Sequence, residues 1–166
     1  MTHPFSPLVR PVILFVRSLR DKSLFELIDC MFVSTDGGPK GVDNVLMPAQ
    51  ALALECHCVV VVTGEHDFVT DGTSVITVSN GHPILKIITA TGCALTAVIA
   101  AFVSLEDSKD VNLVKGCASA LSVFGIAAEL AVKNPACKGP GSARMHMLDA
   151  YRTITIETLW EKAKFS

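Results

Sequence analysis

The stretch Thr89-Ala90-Thr91-Gly92-Cys93-Ala94-Leu95-Thr96 has the make-up of an anion site. Small residues turn the chain after a short β-like piece at residues 87–89, and a helix is expected to open at Gly92. A helix start leaves backbone N–H groups without intrahelical partners and carries the positive end of the helix dipole, so it attracts anions. Gly92 lets a phosphate approach the backbone closely. Cys93 falls in the first turn, placed to act as a base or ligand toward a substrate hydroxyl. Short Gly/Thr turns also precede many helices that bind nothing, and most helical cysteines are small core residues. Spacing alone leaves both readings open.

A second stretch is Val62-Thr63-Gly64-Glu65-His66-Asp67. Ligands of parallel sheets sit at the C-terminal ends of strands, which would put Thr63 and Gly64 beside one. The plainer reading is an ordinary turn. The third, Gly139-Pro140-Gly141-Ser142-Ala143-Arg144, reads as a loop and a helix start with Ser142 as its N-cap. Cys56-His57-Cys58 resembles half a zinc site, but no second Cys/His pair stands at zinc spacing. No metal site is expected there, and one of these side chains is expected to be buried beside a strand.

The elements that must position these residues follow from pattern. A Gly/Pro-rich loop occupies residues 37–43, and Asp43 or Asn44 can cap a helix over about residues 45–56, with Ala49, Leu52 and Ala53 facing inward. Cys58 to Thr63 has no polar alternation, which suits a strand buried on both faces of a parallel sheet. Asp71-Gly72 between two β-rich runs signals a hairpin. Helices are expected at about residues 93–105, 110–133, 143–151 and 155–163; the second has apolar positions at helical spacing. Residues 23–32 read as a further short helix.

The chain has 166 residues, enough for one domain. Fourteen Lys and Arg stand against 16 Asp and Glu, a net charge of −2, with a pI of about 6.2. Such a balance gives no footprint for nucleic acid and no basic cluster for an acidic membrane surface. Hydrophobic residues make up 50% and charged residues 18%, which excludes disorder. The mean hydropathy of +0.47 raises the question of a membrane span. Residues 87–105 are uncharged and long enough, but the Thr-x-Thr-Gly turn splits them, so a buried strand-turn-helix is expected. The apolar run at residues 12–16 is too short for a secretory signal, and the expected location is cytoplasmic. Six cysteines show no disulfide framework.

Taken in order, these pieces resemble the hydroxyethylthiazole kinase family. The residues that carry the likeness are Thr63-Gly64-x-x-Asp67, Thr70-Asp71-Gly72, Asn80-Gly81-His82-Pro83 and Thr91-Gly92-Cys93. After them come Phe124-Gly125-Ile126-Ala127-x-Glu129-Leu130-Ala131, Gly139-Pro140-Gly141-Ser142 and Leu148-Asp149-Ala150. The resemblance implies an α/β fold: an incomplete ribokinase-like three-layer sandwich, with a mainly parallel sheet and helices on both faces. It implies transfer of the γ-phosphate of ATP to the hydroxyl of 4-methyl-5-(2-hydroxyethyl)thiazole, with Mg2+, in a homotrimer.

Residue by residue, the resemblance gives Thr63, followed by Gly64, to ATP and Ala90 to the thiazole. Gly92 and Cys93 fall to the anion hole, with Cys93 where ribokinase relatives hold a catalytic aspartate. Bacterial members usually read Thr-Gly-Thr-Gly-Cys, and plant members carry alanine at the place of Ala90. The likeness covers residues 37–166, the C-terminal part of the family domain, and leaves residues 1–36 unassigned. The Asn-x-x-Glu motif that supports Mg2+ in the family has no match here. The absent first strands are expected to leave an exposed apolar edge. The alternative to a working kinase is a catalytically inactive fragment that binds nucleotide or assembles with a second chain.

Overall fold

In the computed structural model the described residues are 43–104 and 112–166, together with the backbone of residues 13–16. The expected short helix at residues 23–32, the loop at 37–42, Leu105 and Asp110 lie outside them, as do the side chains of the proposed caps Asp43 and Asn44. The elements run β1 (Ile13–Val16), α1 (Asp43–Cys56), β2 (Val59–Val62), β3 (Asp67–Thr70) and β4 (Val75–Val78). A 3-10 turn (Pro83–Lys86) follows, then α2 (Thr91–Ser104), α3 (Leu113–Lys133), α4 (Pro140–Thr153) and α5 (Ile156–Lys162).

The described strands form one sheet in the order β1-β2-β3-β4, and every pair is antiparallel. This corrects the expectation of a mainly parallel sheet. Val59–Val62 is buried along its whole length, as expected. Two-sided burial, however, reports helices on both faces and says nothing of strand direction. Direction is set by the connections: β2–β3 and β3–β4 are each joined by four residues, too few for a parallel crossover. The second of these is the hairpin at Asp71-Gly72. Gly72 has φ +93, and Asp71 Oδ1 accepts from the N–H groups of Thr73 and Ser74 at 2.9 and 2.7 Å. β1 is the edge strand at one end of the sheet, with no further described strand beside it. β2 is paired on both sides, and beside β4 the Thr77 and Ser166 backbones exchange two hydrogen bonds, with Ser79 N–H donating to the Lys164 carbonyl.

Three layers result. Alternate β2 residues Val60 and Val62 pack with Ala49 and Ala53 of α1, with Leu52 and Phe68 beside them. Val59, Val61, Val69 and Val78 face the other way, into a larger core with Ile99, Cys117, Leu121, Phe124 and Met147 from α2, α3 and α4. Each fully buried Val or Leu contributes roughly 1.5–3 kcal/mol. α3 is long and apolar enough to cross a membrane, but 67% of its most apolar window is buried inside the fold, as befits the central core helix.

Two local expectations fail. Residues 87–89 are not a strand: His82 Nδ1 accepts from the Ile84 N–H and Pro83 opens a 3-10 turn. The Thr91 hydroxyl then reaches the carbonyls of Leu85 and Ile88 at 3.2 and 3.3 Å, folding the segment back on itself. Ser142 is not the N-cap of α4. Pro140 at the first helical position starts the helix earlier, and the Ser142 hydroxyl accepts from the N–H groups of Lys138 and Gly139 at 2.8 and 3.1 Å.

Candidate functional site

The start of α2 is built by an unusual backbone. Ala90 has φ +67, a left-handed conformation that costs a residue with a Cβ about 1–2 kcal/mol. The turn it makes lets its carbonyl accept the first intrahelical bond, from the Ala94 N–H at 3.0 Å. The N–H groups of Thr91, Gly92 and Cys93 precede that bond, and the methyl of Ala90 offers them no cap. Thr96 Oγ1 donates to the Gly92 carbonyl at 3.0 Å. Cys93 is exposed, so in this chain it is not one of the core cysteines; Cys117 of α3 is. Burial pushes the Cys117 thiol up to about 12 and leaves it inert.

A hollow of about 140 Å³ opens beside this terminus. Its floor is Ile88, Thr89, Ala90, Thr91 and Ala94; its walls come from Phe124 of α3 and from Arg144, Met147, Leu148 and Tyr151 of α4. The Phe124 and Tyr151 rings stand 6.4 Å apart, tilted by 45°. Burial raises the Tyr151 hydroxyl to about 12, so it stays protonated. The hollow therefore offers apolar and aromatic walls with one guanidinium, next to a helix terminus that attracts anions. Of the residues singled out from sequence, Ala90 lines it; Gly92 and Cys93 follow directly in the chain but are not among its walls.

Thr63 and Gly64 lie elsewhere, at the C-terminal end of β2, and do not line the hollow. Their loop is tied by the Gly64 N–H, which donates to Asp67 Oδ1 at 2.9 Å. Burial drives the Asp67 carboxyl up to about 6, against the opposing pull of that N–H and of His66. His66 Nδ1 meets the Ser79 hydroxyl at 2.9 Å. Among the described residues no three His, Cys, Asp or Glu side chains converge as metal ligands would. In the Cys56-His57-Cys58 turn, His57 has φ +51, Cys56 is exposed and only Cys58 packs partly against Val60 and its neighbours.

Sequence reasoning missed Arg144, Met147, Leu148 and Tyr151 as walls. Arg144, Met147 and Tyr151 recur at spacings of three and four, so they share a helix face, but nothing local says that this face meets Ala90. It also missed the carboxylate of Glu129. Burial pushes this group up, but the N–H of Gly81, the amide of Asn80 and the Lys164 ammonium outweigh that and hold it below its usual range.

Residues 29–157 match the hydroxyethylthiazole kinase family. The hydroxyethylthiazole kinase of Zea mays is 45% identical over 133 residues, covering 76% of this chain and 46% of the maize protein. A solved hydroxyethylthiazole kinase protein of Pyrococcus horikoshii superposes with a TM-score of 0.62 at 34% identity, over 71% of this chain and 44% of its own. The chain thus spans about half the length of these relatives. The family match takes in the β2 end, the hollow and the start of α2 together, and the chain belongs to the hydroxyethylthiazole kinase family.

Proposed function

We propose that the chain phosphorylates 4-methyl-5-(2-hydroxyethyl)thiazole with ATP, and that the hollow beside Ala90 takes the thiazole ring. The observation that carries this is the meeting of an apolar, aromatic-walled hollow with the open N-terminus of α2. The ring lies against Phe124, Tyr151 and Met147, and its hydroxyethyl arm points toward Gly92 and Cys93. The hydroxyl oxygen forms a bond to the γ-phosphorus and the bond to the β–γ bridging oxygen breaks. ADP leaves, and the hydroxyl proton passes to solvent water. Such a transfer needs positioning and charge stabilisation rather than covalent help, and the N–H groups of Thr91, Gly92 and Cys93 are suited to supply it. Cys93 contacts the reacting hydroxyl, and Thr63 and Gly64 contact ATP. Mg2+ belongs to the proposal through the family alone. The described residues gather no ligand set for it, and no step is drawn through it.

A second reading has its own support. Leu148 and Met145 on α4 and Trp160 on α5 are 65%, 62% and 85% exposed, and the chain spans about half of its relatives. In that reading the chain binds nucleotide or thiazole and works only when assembled with further copies, as in the trimer the family implies. A cytoplasmic location goes with both readings.

The test is thiazole binding to the purified chain, measured by isothermal titration calorimetry, beside Leu148→Trp. Leu148 is an exposed wall of the hollow, so the larger ring blocks the mouth without disturbing the core. Saturable binding that this variant abolishes, with ATP binding unchanged, is the expected result. Equal binding by both proteins places the thiazole elsewhere and overturns the assignment.

A further inference from the structure

Asn80 is only 6% exposed, and its side chain makes four hydrogen bonds to groups distant in sequence, its full capacity. Its amide nitrogen donates to the Lys162 carbonyl at 2.8 Å and to Glu129 Oε1 at 3.3 Å. Its oxygen accepts from the Lys164 N–H at 2.9 Å and from the Ser122 hydroxyl at 3.1 Å. Glu129 Oε1 also accepts from the Gly81 N–H at 3.0 Å and from Lys164 Nζ at 3.2 Å. Glu129 thus grips the residue at which the chain leaves the sheet, where Gly81 has φ +142.

The segment from residue 81 to residue 90 runs from this grip to the hollow. Its far end is closed by the Thr91 hydroxyl on the carbonyls of Leu85 and Ile88. Its near end has Glu129. Five residues before Glu129 on the same helix stands Phe124, a wall of the hollow. One helix therefore carries both a wall of the hollow and the anchor of the segment that forms its floor. We infer that Glu129 is a positioning residue: by holding the Gly81 N–H and the Asn80 amide it fixes where the 81–90 segment starts on α3, and so where Ala90 and Thr91 stand relative to Phe124. It is not among the residues that line the hollow. The consequence for ligand affinity rests on the thiazole reading of the hollow; the consequence for Ala90 does not.

The experiment compares Glu129→Gln, which keeps the acceptor for Gly81, with Glu129→Asp and Glu129→Ala, which withdraw it. The first readout is the amide and methyl resonances of Ala90 and Thr91 in the free chain. They are expected to move in the Asp and Ala variants and to stay in place in the Gln variant. The second is thiazole affinity, expected to fall about tenfold or more in Glu129→Ala and to be restored in Glu129→Gln. Unmoved Ala90 and Thr91 resonances in the Asp and Ala variants overturn the inference. So does loss of the whole fold in both, which makes Glu129 a residue of general stability. A wild-type chain that binds no thiazole sinks the functional reading alone, because the Ala90 resonances still judge Glu129.

Discussion

Gly125 lies so close to Asn80 that a methyl group on it would sit 2.6 Å from the Asn80 carbonyl carbon and 2.7 Å from its oxygen. No real Cβ is found at such a distance from backbone. The contact seats the end of the sheet on α3, four residues before Glu129. Gly125→Ala is therefore expected to destabilise the chain by about 1–3 kcal/mol, although Ala favours helices over Gly by nearly 1 kcal/mol. Urea unfolding measures it, and an unchanged or raised midpoint would show that α3 and Asn80 can separate freely.

Ala90 predicts the opposite sign for the opposite substitution. At φ +67 its side chain is strained and the methyl is exposed. Ala90→Gly is expected to be neutral or to stabilise by up to about 1 kcal/mol, where most exposed Ala→Gly changes cost stability. Thermal unfolding checks this, and a clear loss of stability would mean that Ala90 is not held left-handed.

Asp67 should leave a mark on the pH profile. Its carboxyl titrates near 6 in the fold and near 3.8 in the unfolded chain, so between those values the folded state binds the extra proton. Stability from this group is full below pH 3.8 and is lost as pH rises through 6. Asp67→Asn keeps an acceptor for the Gly64 N–H and carries no charge. It is expected to exceed the wild type at pH 7.5 by on the order of 1–3 kcal/mol and to lose that advantage near pH 4. Paired urea titrations at the two pH values suffice. A gap that is constant with pH contradicts the burial argument.

Asp71 works in the other direction. The N–H of Ser74 leads the hydrogen bonds that hold its carboxyl down to about 2. Its contribution is present above pH 3.8 and disappears as pH falls through 2. Asp71→Ala removes three hydrogen bonds from the β3–β4 turn and is expected to cost about 1–2 kcal/mol at pH 7, with little effect at pH 2. A cost that persists undiminished at pH 2 would assign the loss to something other than the carboxylate.

Much of this fold is written in local signals. Asp71-Gly72 announced its hairpin because a tight turn needs those residue types, and α3 announced itself by the spacing of Ala120, Phe124, Ala127 and Ala131. Strand direction was not written in the valines of β2, because a two-sided cover looks the same for parallel and antiparallel pairing. Ile87 and Ile88 read as strand by residue type, whereas Pro83, two residues after Gly81, had already set a tighter turn. The Asn80–Glu129 contact joins residues 49 apart, and no periodicity reaches that far. For the site, the ordered motifs singled out Ala90, Gly92 and Cys93; Ala90 lines the hollow, and Gly92 and Cys93 are not among its walls. The wall from α4 depends on how α4 packs on α3, which lies beyond any local pattern.

Cys93 separates chemistry from packing. It is exposed in the first turn of α2, so Cys93→Ala is expected to change stability by less than about 0.5 kcal/mol. ATP affinity should be nearly unchanged, while turnover falls about tenfold or more. Equal turnover in the variant would remove Cys93 from the reaction.

The most direct measurement is phosphoryl transfer itself. The purified chain, sized by gel filtration, is incubated with ATP, Mg2+ and 4-methyl-5-(2-hydroxyethyl)thiazole, and the products are followed by phosphorus NMR. One thiazole phosphate is expected for each ADP formed, strongly reduced by Cys93→Ala and by Leu148→Trp. No thiazole phosphate from the folded chain, or a rate that both variants leave untouched, would contradict the kinase reading.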